Sequence, residues 1–130
     1  MPLHAVSGGM ALLASFPDAE IREILAATDL SRFTSKSVTN ADAVWHDIRT
    51  TRLKGYAVNR EHFREGVCGV AAAVHGHDPH RAAASIAVCI PEIRFEAQLD
   101  SVCELVVAAA NRASEAVATE IKMPPDTAPD

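Results

Sequence analysis

Aromatic residues, cysteines and basic charge are all scarce in this chain of 130 residues. Phe, Trp and Tyr make up 5% of the residues, so the hydrophobic core has to be built from Ala, Val, Ile and Leu. Three cysteines without a CxxC spacing argue against a disulfide framework. A formal net charge of −5 argues against a nucleic-acid-binding surface, which needs positive charge.

Long hydrophobic runs are lacking as well. No run of about 18 apolar residues occurs, so no membrane span is predicted. The first ten residues, MPLHAVSGGM, lack the basic start and apolar stretch of a signal peptide, and a cytoplasmic protein is expected. What is present is a chain of single-domain length that is 48% hydrophobic. We expect one α/β domain over residues 1–123 and a disordered, Pro/Asp-rich tail over 124–130.

Three helix starts can be located from glycine and capping signals. A glycine turn, Gly8 and Gly9, leads into a short apolar helix. Ser15, with an acidic residue three positions later, is expected to cap a second helix. Asn40 is expected to cap a third helix, which ends at a left-handed Gly55.

The second half of the chain is predicted to form a β-hairpin and a long helix. The apolar segments 67–74 and 82–90 flank HGHDPHR, which has the composition of a turn. A short strand, YAVN, precedes them, and a stripe of apolar residues predicts a helix over 96–122. Strand alternation places only very small side chains on one hairpin face: Gly69, Ala71, Ala73, Ser85, Ala87 and Cys89. Either helices pack closely on that face, or it forms the wall of a small-molecule cavity.

Histidines and cysteines concentrate around the same hairpin and raise the possibility of a reactive centre. His75, His77 and His80 have a spacing that could surround a zinc ion. No CxxC or HExxH accompanies them, and a structural zinc site needs four ligands. Cys68 and Cys89 lie in apolar segments where a thiol behaves as a small hydrophobic group. We therefore predict no catalytic residue, no metal and no cofactor. A metal-dependent or cysteine enzyme is the third and last of the hypotheses considered for this chain.

The glycine turn VSGG at residues 6–9 favours the cavity interpretation. A turn of this kind at a helix start presents unpaired N–H groups and the positive end of the helix dipole, which suit a carboxylate. Glycine-rich helix starts also occur for steric reasons alone.

Three segments together resemble a known family in order and spacing: PLHAVSGGMALLASFPDAEIREIL, LKGYAVNREHFREGVCGVAAAV and SIAVCIPEIRF. They are similar to the effector-binding domain of IclR-type transcription regulators, over a match from Pro2 to about Ala118. The resemblance implies a GAF-like antiparallel sheet flanked by helices. It also implies a partial domain, because the family's DNA-binding domain and first strands do not precede MPLHA.

The family's pocket positions can be transferred one at a time. The turn with backbone donors corresponds to Ser7 and Gly8, and the acid of the family's GYxxD motif corresponds to Asn59. The pocket cysteine corresponds to Gly69. The two pocket serines correspond to Ala87 and Cys89. These departures from the family pattern predict a larger and less polar pocket.

The resemblance implies a ligand-sensing domain that binds a small organic acid effector and assembles as a homodimer or homotetramer. DNA would be bound only through a winged helix-turn-helix domain absent from this chain. A degenerate pocket in an oligomerisation or protein-interaction domain is the alternative, because missing strands would leave a sheet edge open to association.

Overall fold

The computed structural model describes residues 2–122, which form a mixed α+β domain. A 3₁₀ turn at Leu3–Ala5 precedes three helices, α1 (Ser7–Ser15), α2 (Asp18–Ala27) and α3 (Ala41–Lys54). Strands β1 (Ala57–Arg60), β2 (Val67–His75) and β3 (Ala82–Pro91) follow, and the long helix α4 (Glu92–Lys122) ends the described chain. The domain of mixed helices and strands that the sequence predicted, with an antiparallel sheet flanked by helices, is confirmed.

The three strands form an antiparallel sheet in the order β1-β2-β3. The register aligns Asn59 with Gly69, and Gly69 with Cys89, across the sheet. Helix α1 packs on β2 and β3 from one face and also contacts α3, and α4 packs on the same two strands. The sheet therefore separates two hydrophobic cores.

Alternate residues along β1 and β2 contribute to different cores. The core with α1 and α3 contains Leu13, Ile48 and Ala71, and the core with α4 contains Val70 and Phe95. Neighbouring residues of β2 therefore face opposite sides, as strand geometry requires. The hairpin predicted from the turn composition of HGHDPHR and the small-residue face predicted from strand alternation are both confirmed.

Three residues were predicted to cap a helix start or end a helix: Ser15, Asn40 and Gly55. The structure confirms the last two. The Asn40 side chain accepts a hydrogen bond from the Ala43 N–H at 2.9 Å, and Gly55 ends α3 with a φ of +83°. The prediction for Ser15 is wrong, because Ser15 belongs to the last turn of α1 and Pro17 precedes α2. The Ser15 hydroxyl instead donates to the Leu12 carbonyl at 2.6 Å and accepts the Ala82 N–H at 2.9 Å.

Helix α4 starts four residues before the predicted position, directly after β3. The acidic Glu92 in the first turn of α4 complements the helix dipole. The Glu92 N–H also donates to the Gly66 carbonyl at 2.8 Å, which ties the start of α4 to the turn before β2.

The proposed tail at 124–130 lies outside the described residues. Within the described part of the chain, no helix combines the length and apolar character needed to cross a membrane.

Candidate functional site

A cavity of about 600 Å³ lies between the start of α1, the sheet and the loop that joins β1 to β2. Its volume falls in the range of about 300–1,000 Å³ that is typical of small-molecule sites. All six residues predicted for the ligand site line it: Ser7, Gly8, Asn59, Gly69, Ala87 and Cys89. The structure therefore brings together residues that are up to 82 positions apart in the sequence.

The cavity exists because the sheet is lined by small side chains beneath the first turn of α1. Gly8 approaches β3 closely: a Cβ at Gly8 would lie 3.1 Å from the Ser85 Oγ and 3.7 Å from the Ala87 Cβ. Leu3, Val6 and Leu12 supply an apolar wall on the helix side. Small residues on the strands and larger ones in and before α1 thus shape a mostly apolar space.

The first turn of α1 brings hydrogen-bond donors to this space. The backbone N–H groups of Ser7, Gly8 and Gly9 have no protein acceptor among the described residues, as expected for the first turn of a helix. The Ser7 side chain is buried and its hydroxyl likewise has no hydrogen-bond partner in the described part of the chain. Three N–H groups and one hydroxyl are therefore available for a ligand.

The sequence predicted that glycine in place of the family's cysteine at position 69 would enlarge the cavity, but the missing side chain leaves no open space there. The Ser7 Oγ lies 2.6 Å from the position that a Cβ would occupy at Gly69. The space left by the missing side chain is thus taken by the serine hydroxyl. The absence of a side chain at Gly69 allows Ser7 to be buried against β2.

Asn59 lines the cavity but its amide is already engaged. Its Nδ2 donates to the Ala5 carbonyl, and its Oδ1 accepts the His62 N–H at 3.0 Å. The side chain is buried and joins the 3₁₀ turn to the loop after β1. Asn59 therefore positions two walls of the cavity, with its amide turned to the protein.

The strand β3 contributes one polar side chain that the predicted site omitted. Ser85 lines the cavity together with Ala87 and the exposed Cys89, and its hydroxyl has no hydrogen-bond partner among the described residues. Alternation had placed Ser85 on this face, but the family serines correspond to Ala87 and Cys89. The hydroxyl expected at Ala87 is therefore supplied two residues earlier.

Phe63 and Arg64 in the loop between β1 and β2 also line the cavity and were not predicted. Residues in an irregular loop have no periodicity from which their direction could be inferred. The ring centroids of Phe63 and Phe33 lie 5.0 Å apart. The Cζ atom of the Arg64 guanidinium lies 5.9 Å from the Phe63 ring centroid.

The histidines around the hairpin turn form no metal-binding cluster in the part of the chain that the structure describes. His77 and His80 lie in the turn between β2 and β3, and no cluster of three metal-ligating residues occurs among residues 2–122. Burial raises the pKa of the Cys68 thiol, which faces α4, and of the Cys103 thiol. A raised pKa disfavours the thiolate that a nucleophile requires.

His4, in the 3₁₀ turn, is buried and neither ring nitrogen has a hydrogen-bond partner among the described residues. Burial, with a smaller contribution from His62, lowers the pKa of His4. Burial in this turn therefore favours the neutral form of the imidazole.

Comparison with known proteins identifies the family. The family model described as "Bacterial transcriptional regulator IclR C-terminal" matches residues 1–115. BhcR of Paracoccus denitrificans, named as an HTH-type transcriptional regulator, is 33% identical over 113 residues, or 86% of this chain and 40% of BhcR. The chain spans between 35% and 40% of the length of the curated relatives that it matches first.

Solved structures agree with this assignment. The C-terminal domain of the Escherichia coli transcriptional regulator KdgR has a TM-score of 0.81 at 26% identity, over 88% of this chain and 70% of that chain. The inducer-binding domain of PobR from Acinetobacter, solved as a double mutant with 3-hydroxybenzoic acid, has a TM-score of 0.79. At 22% identity, over 88% of this chain and 68% of that chain, PobR shows a likeness of fold alone. The chain belongs to the IclR family of bacterial transcriptional regulators and corresponds to their C-terminal domain.

Proposed function

We propose that the cavity binds a small organic acid and that the bound acid alters DNA binding by the full regulator. One observation carries the proposal: the N–H groups of Ser7, Gly8 and Gly9, without protein acceptors among the described residues, border a cavity with apolar walls. The positive end of the α1 dipole favours an anion at this place. The Ser7 and Ser85 hydroxyls can add hydrogen bonds to the same ligand.

The DNA-binding step in this proposal belongs to a helix-turn-helix region outside this chain. BhcR carries "HTH-type" in its name, and the present chain spans 40% of it. The net charge of −5 is consistent with a domain that binds ligand and leaves DNA to another part of the regulator. The PobR domain, which has a similar fold, was solved with an aromatic acid, and this motivates aromatic acids as test ligands.

The proposal is tested by thermal unfolding of the purified chain with benzoate, 3-hydroxybenzoate, hexanoate and succinate. A ligand at about one hundred times its Kd adds about 2.7 kcal/mol to the free energy of unfolding. For a domain of this size, we expect the Tm to rise by roughly 5–10 °C with at least one acid. A cooperative transition that none of these acids shifts would contradict the proposal.

The position of the acid is tested by Gly8→Leu, whose side chain would meet Ser85 and Ala87 and fill the space over the N–H groups. We expect this variant to lose the ligand-dependent shift in Tm. Gly8→Ala is the matched control, because its methyl group would lie 3.1 Å from a serine hydroxyl that can rotate away. Equal affinity of Gly8→Leu and the wild type for the same acid would place the acid elsewhere.

A homodimer or homotetramer is a second candidate role, favoured by the outer edge of β3. Among the described residues, no strand pairs with this edge, and residues 82–91 carry no charge. An uncharged open edge promotes pairing with another strand, and a lysine on it opposes pairing. We expect sedimentation velocity to show self-association that Ala84→Lys weakens and Ala108→Lys, on the exposed side of α4, does not. A monomer at all concentrations would exclude this role.

A further inference from the structure

Arg64 is the one residue with a full charge among those that line the cavity. No acidic side chain of the described residues lines it. Arg64 is exposed, and its guanidinium lies 5.9 Å from the centroid of the Phe63 ring, which also lines the cavity. A single positive charge beside apolar walls creates a site that favours an anion with an apolar body.

The charge of Arg64 is not neutralised by the protein in the described part of the chain. Arg60 pairs with Glu96, whereas Arg64 forms no ion pair with any carboxylate of the described residues. The same loop holds two acids. Glu65 forms no ion pair with Arg64, and Glu61 is already paired with Lys36 and accepts the Gly66 N–H at 2.9 Å. These two partners also hold the pKa of the Glu61 carboxyl below its ordinary value. Arg64 thus keeps its charge available to a ligand.

The loop that carries Arg64 is fixed at several points. The Thr34 hydroxyl donates to the Glu61 carbonyl at 2.6 Å, and the Ser37 hydroxyl donates to the His62 carbonyl at 2.8 Å. The Val67 N–H closes the loop on the Arg64 carbonyl at 3.3 Å. A fixed backbone limits the conformational entropy that is lost when a ligand binds.

We infer that Arg64 is the residue that makes this cavity select anions, and that its ligands are monocarboxylic acids with an apolar body. The inference rests on the proposed function and adds to it the residue that supplies the charge. The N–H groups of α1 can bind a neutral carbonyl as well as a carboxylate. The guanidinium adds a full positive charge, which strengthens the binding of a carboxylate beyond what the N–H groups supply and gives a neutral amide no comparable gain.

The test compares each acid with its amide, using benzoic acid with benzamide and hexanoic acid with hexanamide. Calorimetric titration of the wild-type chain should give at least tenfold tighter binding of the acid. In Arg64→Gln the acid should weaken by about tenfold while the amide is unchanged, and Arg64→Lys should retain part of the preference. Arg94→Gln, which removes an exposed arginine that does not line the cavity, is the matched control.

Higher salt should reduce the preference for the acid in the wild type, because exposed charges are screened. Unchanged acid affinity in Arg64→Gln, or an equal loss for acid and amide, would overturn the inference. If Gly8→Leu abolishes binding while Arg64→Gln does not, the proposed function stands and the inference about Arg64 fails. If neither acid binds the wild-type chain, both fail.

Discussion

Gly9→Ala is expected to have a free energy of unfolding about 2–3 kcal/mol below that of Gly8→Ala, although the two substitutions are adjacent. A Cβ at Gly9 would lie 2.4 Å from the Leu3 carbonyl oxygen and 2.7 Å from the Leu3 Cα. These are backbone atoms, so the contact cannot be relieved by a change of rotamer. At Gly8 the nearest atom is a serine hydroxyl at 3.1 Å, which can rotate.

The comparison between the two glycines removes the effect of helix propensity. Alanine is favoured over glycine within a helix by about 1 kcal/mol, and both variants gain a similar amount. Equilibrium unfolding in urea measures the remaining difference, and a Tm lower by roughly 10 °C in Gly9→Ala is the corresponding thermal result. Equal stability of the two variants would mean that the 3₁₀ turn moves away from α1 at little cost.

The same contact connects stability to the site. Gly9 lets the Leu3–Ala5 turn lie against α1, and Asn59 binds the Ala5 carbonyl of that turn. Displacing the turn should therefore move one wall of the cavity as well. We expect Gly9→Ala to bind an effector acid more weakly even under conditions in which the variant is folded.

The sheet and its helices could be predicted from the sequence because their signals are local. Alternation identified the small-residue face, and the Asn40 and Gly55 signals depend on a few consecutive residues. The prediction for Ser15 failed because its hydroxyl is engaged by the Leu12 carbonyl and the Ala82 N–H rather than by the first turn of α2. A tertiary hydrogen bond from the Ala82 N–H, 67 residues away, holds Ser15 in α1.

The candidate site could be predicted in part, and the missing part is non-local. Strand parity and the family pattern located the six lining residues, but they did not reveal how Asn59 and Ser7 use their polar atoms. The Ser7 hydroxyl fills the space at Gly69, and the Asn59 amide bridges two backbone segments. Such contacts depend on how closely separate elements pack together, and this packing cannot be inferred from a short stretch of sequence. Arg64 was missed for the same reason, since an irregular loop has no period.

The second large effect on the free energy of unfolding is expected at the start of α4. Two large apolar residues lie there, and the sequence alone does not show which of them is buried. Phe95 is 1% exposed and Ile93, two residues earlier, is 87% exposed. Phe95→Ala is expected to lower the free energy of unfolding by about 3–5 kcal/mol, because it leaves a cavity between α4 and the sheet. The Arg60 guanidinium, 4.8 Å from the Phe95 ring centroid, also loses its cation–π contact.

Ile93→Ala is the matched control, and its effect should stay within about 0.5 kcal/mol because the side chain is already in solvent. Equilibrium denaturation of both variants measures the two values. Comparable losses would mean that another molecule covers Ile93 in solution. Self-association through the β3 edge, proposed above, would be one way to cover it. A small loss for Phe95→Ala alone would instead mean that α4 begins near residue 96, as its periodicity predicts. The pair thus decides between the helix start seen in the structure and the one inferred from the sequence.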